Sequence, residues 1–169
     1  RRMELDDVDG FLVTHPPNLF YLTGFSGSAG IGFFSPQKKI LWVDGRYGFQ
    51  AREQSQGVRV VVSRNGVLSS VCKFFNRASS LRIGFESDQL EHATYLRIHS
   101  GVKKSIQLLA LEGVVERLRE RKDQHEIKLI RRACQVTGEV LNTIKDWLRP
   151  GIRERDVAAE IDYHLRLRG

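Results

Sequence analysis

The chain has little cysteine, methionine or proline: two Cys, one Met and four Pro in 169 residues. Two cysteines are too few for a disulfide framework. Cys72 and Cys134 each fall on the apolar side of a helical pattern and are expected as buried thiols, which suits a reducing cytoplasm. No apolar run approaches the roughly 20 residues that a membrane-spanning helix needs. The opening Arg1-Arg2-Met3-Glu4-Leu5-Asp6-Asp7 has no apolar stretch, so no secretory signal is visible in it. Lacking an initiator Met, it reads as the last turn of a helix behind a trimmed N-terminus.

Signatures of several chemistries are also missing. Gly24 to Gly32 is glycine-rich, but no Gly-Lys-Ser/Thr closes it, so it is not a phosphate-binding P-loop. Gly30-x-Gly32-x-x-Ser35 falls short of a dinucleotide fingerprint. The segment after it, Pro36 to Val43, reads as turn and strand, so no helix N-terminus is offered to a phosphate. These glycines are expected to permit a tight strand-to-strand connection. The five histidines, His15, His92, His99, His125 and His164, lack metal-ligand spacing. His125-Glu126 hints at a zincin helix, but Leu129 stands where the second histidine belongs. His164 lies four residues after Glu160 and is expected as a helix-surface pair. The serines sit in loops with no assigned base, so no nucleophile constellation is legible.

Charge of one sign is in modest excess, +7 with 27 basic and 20 acidic residues. A nucleic-acid surface gathers its basic residues into a patch or stripe. Here residues 1–115 carry fourteen basic and ten acidic side chains and residues 116–169 carry thirteen and ten. The surplus is spread evenly, and the densest cluster, Arg117 to Lys122, is broken by Glu120 and followed by Asp123. Nucleic acid is therefore not an expected partner.

What is present is a run of short apolar segments bounded by Gly, Pro, Asn or Asp. Strands are expected at Phe11–Val13, Leu19–Leu22, Ile31–Phe34, Ile40–Val43, Val58–Val62 and Leu81–Phe85, with a seventh at Ile106–Leu111. Near-continuous apolar runs imply strands covered on both faces. Helical spacing links Val67, Leu68, Val71, Phe74, Phe75 and Ala78, and more weakly Leu90, Ala93, Thr94 and Ile98, where Asp88 and Glu91 fit a capping box. Early strands joined by turns and later ones joined by helices predict an α/β domain with a mixed sheet over residues 1–115.

Residues 116–169 have a different texture. Ile127, Ile130, Cys134, Thr137, Leu141, Ile144 and Leu148 are spaced alternately by three and four, which predicts one long helix with an apolar stripe. Asp123 and Glu126 form a capping box at its start, and Pro150-Gly151 ends it. A second helix carries Val157, Ile161 and Leu165 on one face. These helices have no sheet of their own to cover and read as the opening of a further domain. The stripe is expected to seek cover on the rest of the chain or on another copy.

Asp44-Gly45-Arg46-Tyr47 sits at the C-terminal end of a strand, where ligand-facing residues emerge in α/β sheets. It has a structural explanation as well: Asp44 can cap the following short helix, and Arg46 can pair with a nearby carboxylate.

Taken together, the ordered segments Phe11-Leu12-Val13-Thr14, Asn18-Leu19-Phe20-Tyr21-Leu22-Thr23-Gly24-Phe25, Asp44-Gly45-Arg46-Tyr47 with Gln50-Ala51-Arg52, and Ile83-Gly84-Phe85-Glu86 resemble the N-terminal domain of Xaa-Pro aminopeptidases and prolidases, the creatinase-like or pita-bread metallopeptidases. Leu118-Arg119 with Lys122, Glu126-Ile127, Ile130-Arg131 and Ala133, then Arg149-Pro150-Gly151-Ile152 with Glu154 and Ala158-Ala159-Glu160, resemble the entry to that family's catalytic domain. The resemblance implies a ribonuclease H-like domain with a mixed sheet of about six strands flanked by helices, then the first two helices of an incomplete catalytic domain. It also implies a cytoplasmic homodimer acting on proline-containing peptides at the amide before proline. The parent would use two divalent ions (Mn, Co or Zn) held by two Asp, one His and two Glu. No cofactor or metal ligand of that set is expected within this chain, which would be inactive alone. Tyr21, Phe25, Arg46 and Tyr47 become candidates for the substrate entrance or the dimer contact. A binding module of the same fold, stripped of its metals, is the alternative. One departure is Arg153, where the family has a Ser or Thr cap; its absence costs about 1 kcal/mol of helix stability.

Overall fold

The computed structural model describes residues 7–168, so the helical turn expected at the start of the chain lies outside the described residues. Backbone contacts divide the chain into two compact units, 1–120 and 121–169.

The first unit is built on six strands: β1 (Gly10–Val13), β2 (Ile31–Phe34), β3 (Lys39–Asp44), β4 (Arg59–Ser63), β5 (Leu81–Glu86) and β6 (Ile106–Leu111). Their spatial order is β4-β3-β2-β1-β5-β6. β2 runs antiparallel to β1 and β3, and the remaining pairs are parallel, so the sheet is mixed. Five helices belong to this unit: α1 (Pro16–Thr23), α2 (Gly48–Gln54, after a 3-10 turn at Gly45–Tyr47), α3 (Val67–Phe75), α4 (His92–Gly101) and α5 (Val114–Glu120).

Both faces of the sheet are covered, as the unbroken apolar runs predict. On one face Leu12, Phe33, Trp42 and Ile83 meet Val71, Cys72 and Phe75 of α3 and Ile98 of α4. On the other, Phe11, Val13, Phe34, Leu41 and Val43 meet Leu19 of α1, Ala51 of α2 and Val114 and Val115 of α5. The central strands contribute to both clusters by alternation, since successive side chains point to opposite faces.

Leu19–Leu22 is helical, not a strand. Pro16 and Pro17 occupy the first helical positions, where the missing N–H is no loss, and Gly24 closes the helix in the left-handed region at φ 80°. The proline pair that reads as a strand boundary is a helix start. The expected Asp88–Glu91 capping box is also absent. The amides of Gln89 and Leu90 turn back onto the Glu86 carbonyl, and α4 begins only at His92, with Glu91 as an N-cap that makes no side-chain bond.

α1 has no side-chain cap of its own. Its N-terminus is instead closed by the buried carboxylate of Glu86, from the end of β5. Glu86 Oε2 accepts from the Thr14 amide at 2.7 Å and the His15 amide at 2.9 Å, and Oε1 accepts from Asn18 Nδ2 at 2.7 Å. An anion at a helix N-terminus is favoured by the helix dipole and by the unpaired amides there.

The second unit is α6 (Gln124–Trp147) packed on α7 (Glu154–Arg168). The Asp123–Glu126 capping box is present, with Asp123 Oδ1 accepting from the Glu126 amide at 2.9 Å and Glu126 Oε2 from the Asp123 amide at 2.6 Å. α7 forms through Arg168 without a Ser or Thr before it; the amides of Asp156 and Val157 bond to the Arg153 carbonyl. Nε2 of His164 lies 3.2 Å from Glu160, a pair along one helix. The buried line of α6 is Val136, Val140 and Ile144. Of the expected stripe only Ile144 is buried; Ile130, Leu141 and Leu148 are about half exposed. The buried line is offset by one residue, about 100° around the helix. Cys134, read as a buried thiol, is exposed for the same reason.

Two predictions follow from these contacts. Burial pushes the Cys72 thiol up, disfavouring the reactive thiolate. A thiol-labelling time course should therefore show one fast equivalent at Cys134 and a second only on unfolding. Glu86→Gln puts an amide nitrogen against one of the donors that both carboxylate oxygens now serve. It should lower the stability of the first unit by roughly 2 kcal/mol in urea unfolding, since an unsatisfied buried group costs about that much.

Candidate functional site

The turn after β3 folds back on itself through Asp44. Its Oδ1 accepts from the Arg46 amide at 2.9 Å, and the Arg46 guanidinium returns to the same carboxylate at 2.7 Å from Nη2 and 3.2 Å from Nε. The Arg46 guanidinium beside Asp44 holds its carboxyl below the ordinary range, and Asp44 in turn raises Arg46. Arg46 is still 76% exposed, so water screens the pair and its charge faces solvent. The carboxylate that sequence could only call nearby is thus Asp44 itself, two residues away.

Tyr47 follows, with the Arg46 guanidinium 5.5 Å from its ring centroid. Its ring meets Phe25 edge to face at 5.8 Å, and its hydroxyl lies 2.7 Å from Ser28 Oγ. Phe25 is fully buried, so it supports the Tyr47 ring from below and presents no surface. The loop from Gly24 to Gly30 crosses over both rings at Gly27. A methyl group there would sit 2.2 Å from Phe25 Cζ and 2.8 Å from Tyr47 Cδ1, a separation only glycine permits. The glycine-rich stretch therefore serves close packing over aromatic rings, and it joins a helix to a strand.

A polar rim borders this corner. Gln54 Oε1 accepts from the amide and hydroxyl of Ser26 at 3.0 and 3.1 Å, and Gln50 Nε2 donates to both Ser26 Oγ and Gln54 Oε1. Phe49, on the first turn of α2, is 79% exposed. The corner thus offers an exposed guanidinium, a phenol, a free aromatic face and a rim of amides and hydroxyls. Such groups can hold a carboxylate and pack against an apolar side chain. Ser28 Oγ is matched to the Tyr47 phenol, not to a histidine that could act as its base.

Tyr21 is not in this corner. It lies on α1 one turn beyond Asn18, and its hydroxyl donates to the Leu118 carbonyl of α5 at 3.2 Å. Beside it is a buried polar network that sequence reasoning missed. Asn18 Nδ2 donates to Glu86 Oε1 at 2.7 Å and to Glu116 Oε1 at 2.6 Å, and Asn18 Oδ1 accepts from Arg119 Nη1 at 2.8 Å. The only available signal was a polar residue in an apolar run; the partners are 68 to 101 positions away.

Among the described residues no group of three or more His, Cys, Asp or Glu side chains is placed to hold a metal ion. The donor set for a divalent centre is therefore not furnished by residues 7–168. No helix among them is long and apolar enough to cross a membrane.

Comparison with known proteins agrees with this architecture. The chain is 31% identical to an uncharacterized peptidase, YqhT, of Bacillus subtilis, over 96% of this chain and 46% of that protein. It is 25% identical to an Xaa-Pro dipeptidase of Pyrococcus horikoshii, over 99% of this chain and 46% of the relative. The solved Xaa-Pro dipeptidase of Bacillus anthracis superposes with a TM-score of 0.88 at 28% identity, covering 96% of this chain and 45% of that one. The chain thus spans about half the length of the curated relatives it matches. Residues 128–169 match metallopeptidase family M24. Residues 1–121 match the creatinase/prolidase N-terminal domain, and with its six-stranded mixed sheet the chain belongs to that family.

Proposed function

We propose that this chain is the N-terminal part of a cytoplasmic, metal-dependent Xaa-Pro peptidase, an aminopeptidase or dipeptidase that cleaves the amide bond before proline. In that protein the first unit builds a homodimer and borders the entrance through which a proline-containing peptide reaches the catalytic centre. Residues 1–169 are inactive alone. The observation that carries this reading is the order of two family matches, an N-terminal domain over 1–121 and the start of a metallopeptidase over 128–169, on a chain that makes up 46% of relatives named as peptidases.

The corner around Arg46 suits an entrance. Its cation and exposed ring match the carboxylate and the apolar side chain of a short peptide, and Phe25 and the loop at Gly27 hold Tyr47 in place. The described residues furnish no metal site. The two divalent ions are assigned to the metallopeptidase domain whose start matches residues 128–169, and no catalytic step is assigned to this chain.

Incubation of residues 1–169 with Mn²⁺ and an Xaa-Pro dipeptide should release proline only at the background rate; turnover would overturn the inactive assignment. The longer protein should cleave the same dipeptide and lose activity to a chelator. Binding of the peptide without cleavage would instead support the non-catalytic module. In that longer protein Arg46→Ala should raise KM roughly tenfold, the worth of one charge-assisted contact, with kcat within about twofold. The Asp44 carboxyl is depressed in the folded state, so the pair it makes with Arg46 is intact above the unfolded value and lost as pH falls through the folded one. The Arg46→Ala effect should accordingly be flat across neutral pH and change only in acid below the ordinary carboxylate range.

A further inference from the structure

Helix α5 is held to the first unit in two different ways. Its first turn is apolar: Val114 and Val115 are buried in the cluster that covers one face of the sheet. Its last turn is amphipathic, and the contacts it makes to α1 are polar: Glu116 to Asn18, Arg119 to Asn18, and the Leu118 carbonyl to the Tyr21 hydroxyl. Asn18 is the centre of this set. Both protons of its amide nitrogen are engaged by carboxylates and its oxygen by a guanidinium, so its orientation is fixed. No other side chain of similar size supplies two donors and one acceptor in that geometry.

We propose that Asn18 is a latch that docks the last turn of α5, residues 116–120, and that this turn opens on its own while the sheet stays folded. Two features make opening cheaper than unfolding. Polar contacts are exchanged for contacts with water when they break, whereas the buried valines of the first turn stay in place. The network also brings two carboxylates, Glu86 and Glu116, to the one Asn18 amide nitrogen, so release of Glu116 relieves repulsion between like charges. This device does not depend on the peptidase reading.

Native-state hydrogen exchange on the whole chain tests it. In Asn18→Ala the amides of Leu118, Arg119 and Glu120 should exchange at least tenfold faster, with those of β1 and β5 unchanged. Arg119→Ala, which alters only a partly buried side chain of α5, should produce the same regional acceleration even where Asn18→Ala compromises folding. Unchanged exchange in α5, or an equal acceleration through β1 and β5 in both variants, would overturn the latch.

Discussion

The carboxylate of Glu86 is the contact on which the first unit is organised. It lies in the interior at the end of β5, and it accepts from the Thr14 and His15 amides and the Asn18 side chain. A helix that opens on Pro-Pro offers few amides to cap, and its flanking residue His15 makes no side-chain cap. A buried anion from a strand over seventy residues away takes over that task. The parallel pairing of β1 with β5 and the placement of α1 are therefore secured by one group. Removing the charge leaves donors facing each other where water cannot reach them.

From this anchor the polar architecture divides. On one side, Asn18 extends it toward α5 and the point where the first unit ends. On the other, the loop after α1 crosses Phe25 and Tyr47 at Gly27 and brings Ser28 to the Tyr47 hydroxyl. The four residues singled out by resemblance thus separate into three roles. Phe25 is interior, Tyr47 and Arg46 form an exposed corner, and Tyr21 belongs to the α1–α5 contact.

Much of the fold was legible because its signals are local. Apolar runs bounded by turn residues found all six strands, and the unbroken apolar run Ile40–Val43 implies two covered faces. The Asp123–Glu126 box and the Asp44 turn were readable because donor and acceptor lie within three residues of each other. What failed also has physical causes. Leu19–Leu22 has the composition of a strand, and only the position of two prolines within the first helical turn decides otherwise. The face α6 buries lies one residue from the one periodicity favours, because the choice rests on what packs against it. The Glu86–Asn18–Arg119 set was invisible for a third reason. Nothing in a linear sequence announces a bond between positions 18 and 119, and glutamate after an apolar strand looks like its solvent end.

The single reversed strand has a consequence for the order in which this sheet can assemble. β1, β2 and β3 are joined by short sequence separations and can pair as soon as residue 44 is made. β1 then waits as an outer strand, apolar on both sides, until β5 has been synthesised to lie beside it. A nascent chain in which β5 has not yet emerged therefore carries a bare, apolar ladder edge. Sheet edges of that kind recruit neighbouring chains. Until β5 is in place, that edge is the part of the sheet most open to pairing with another chain.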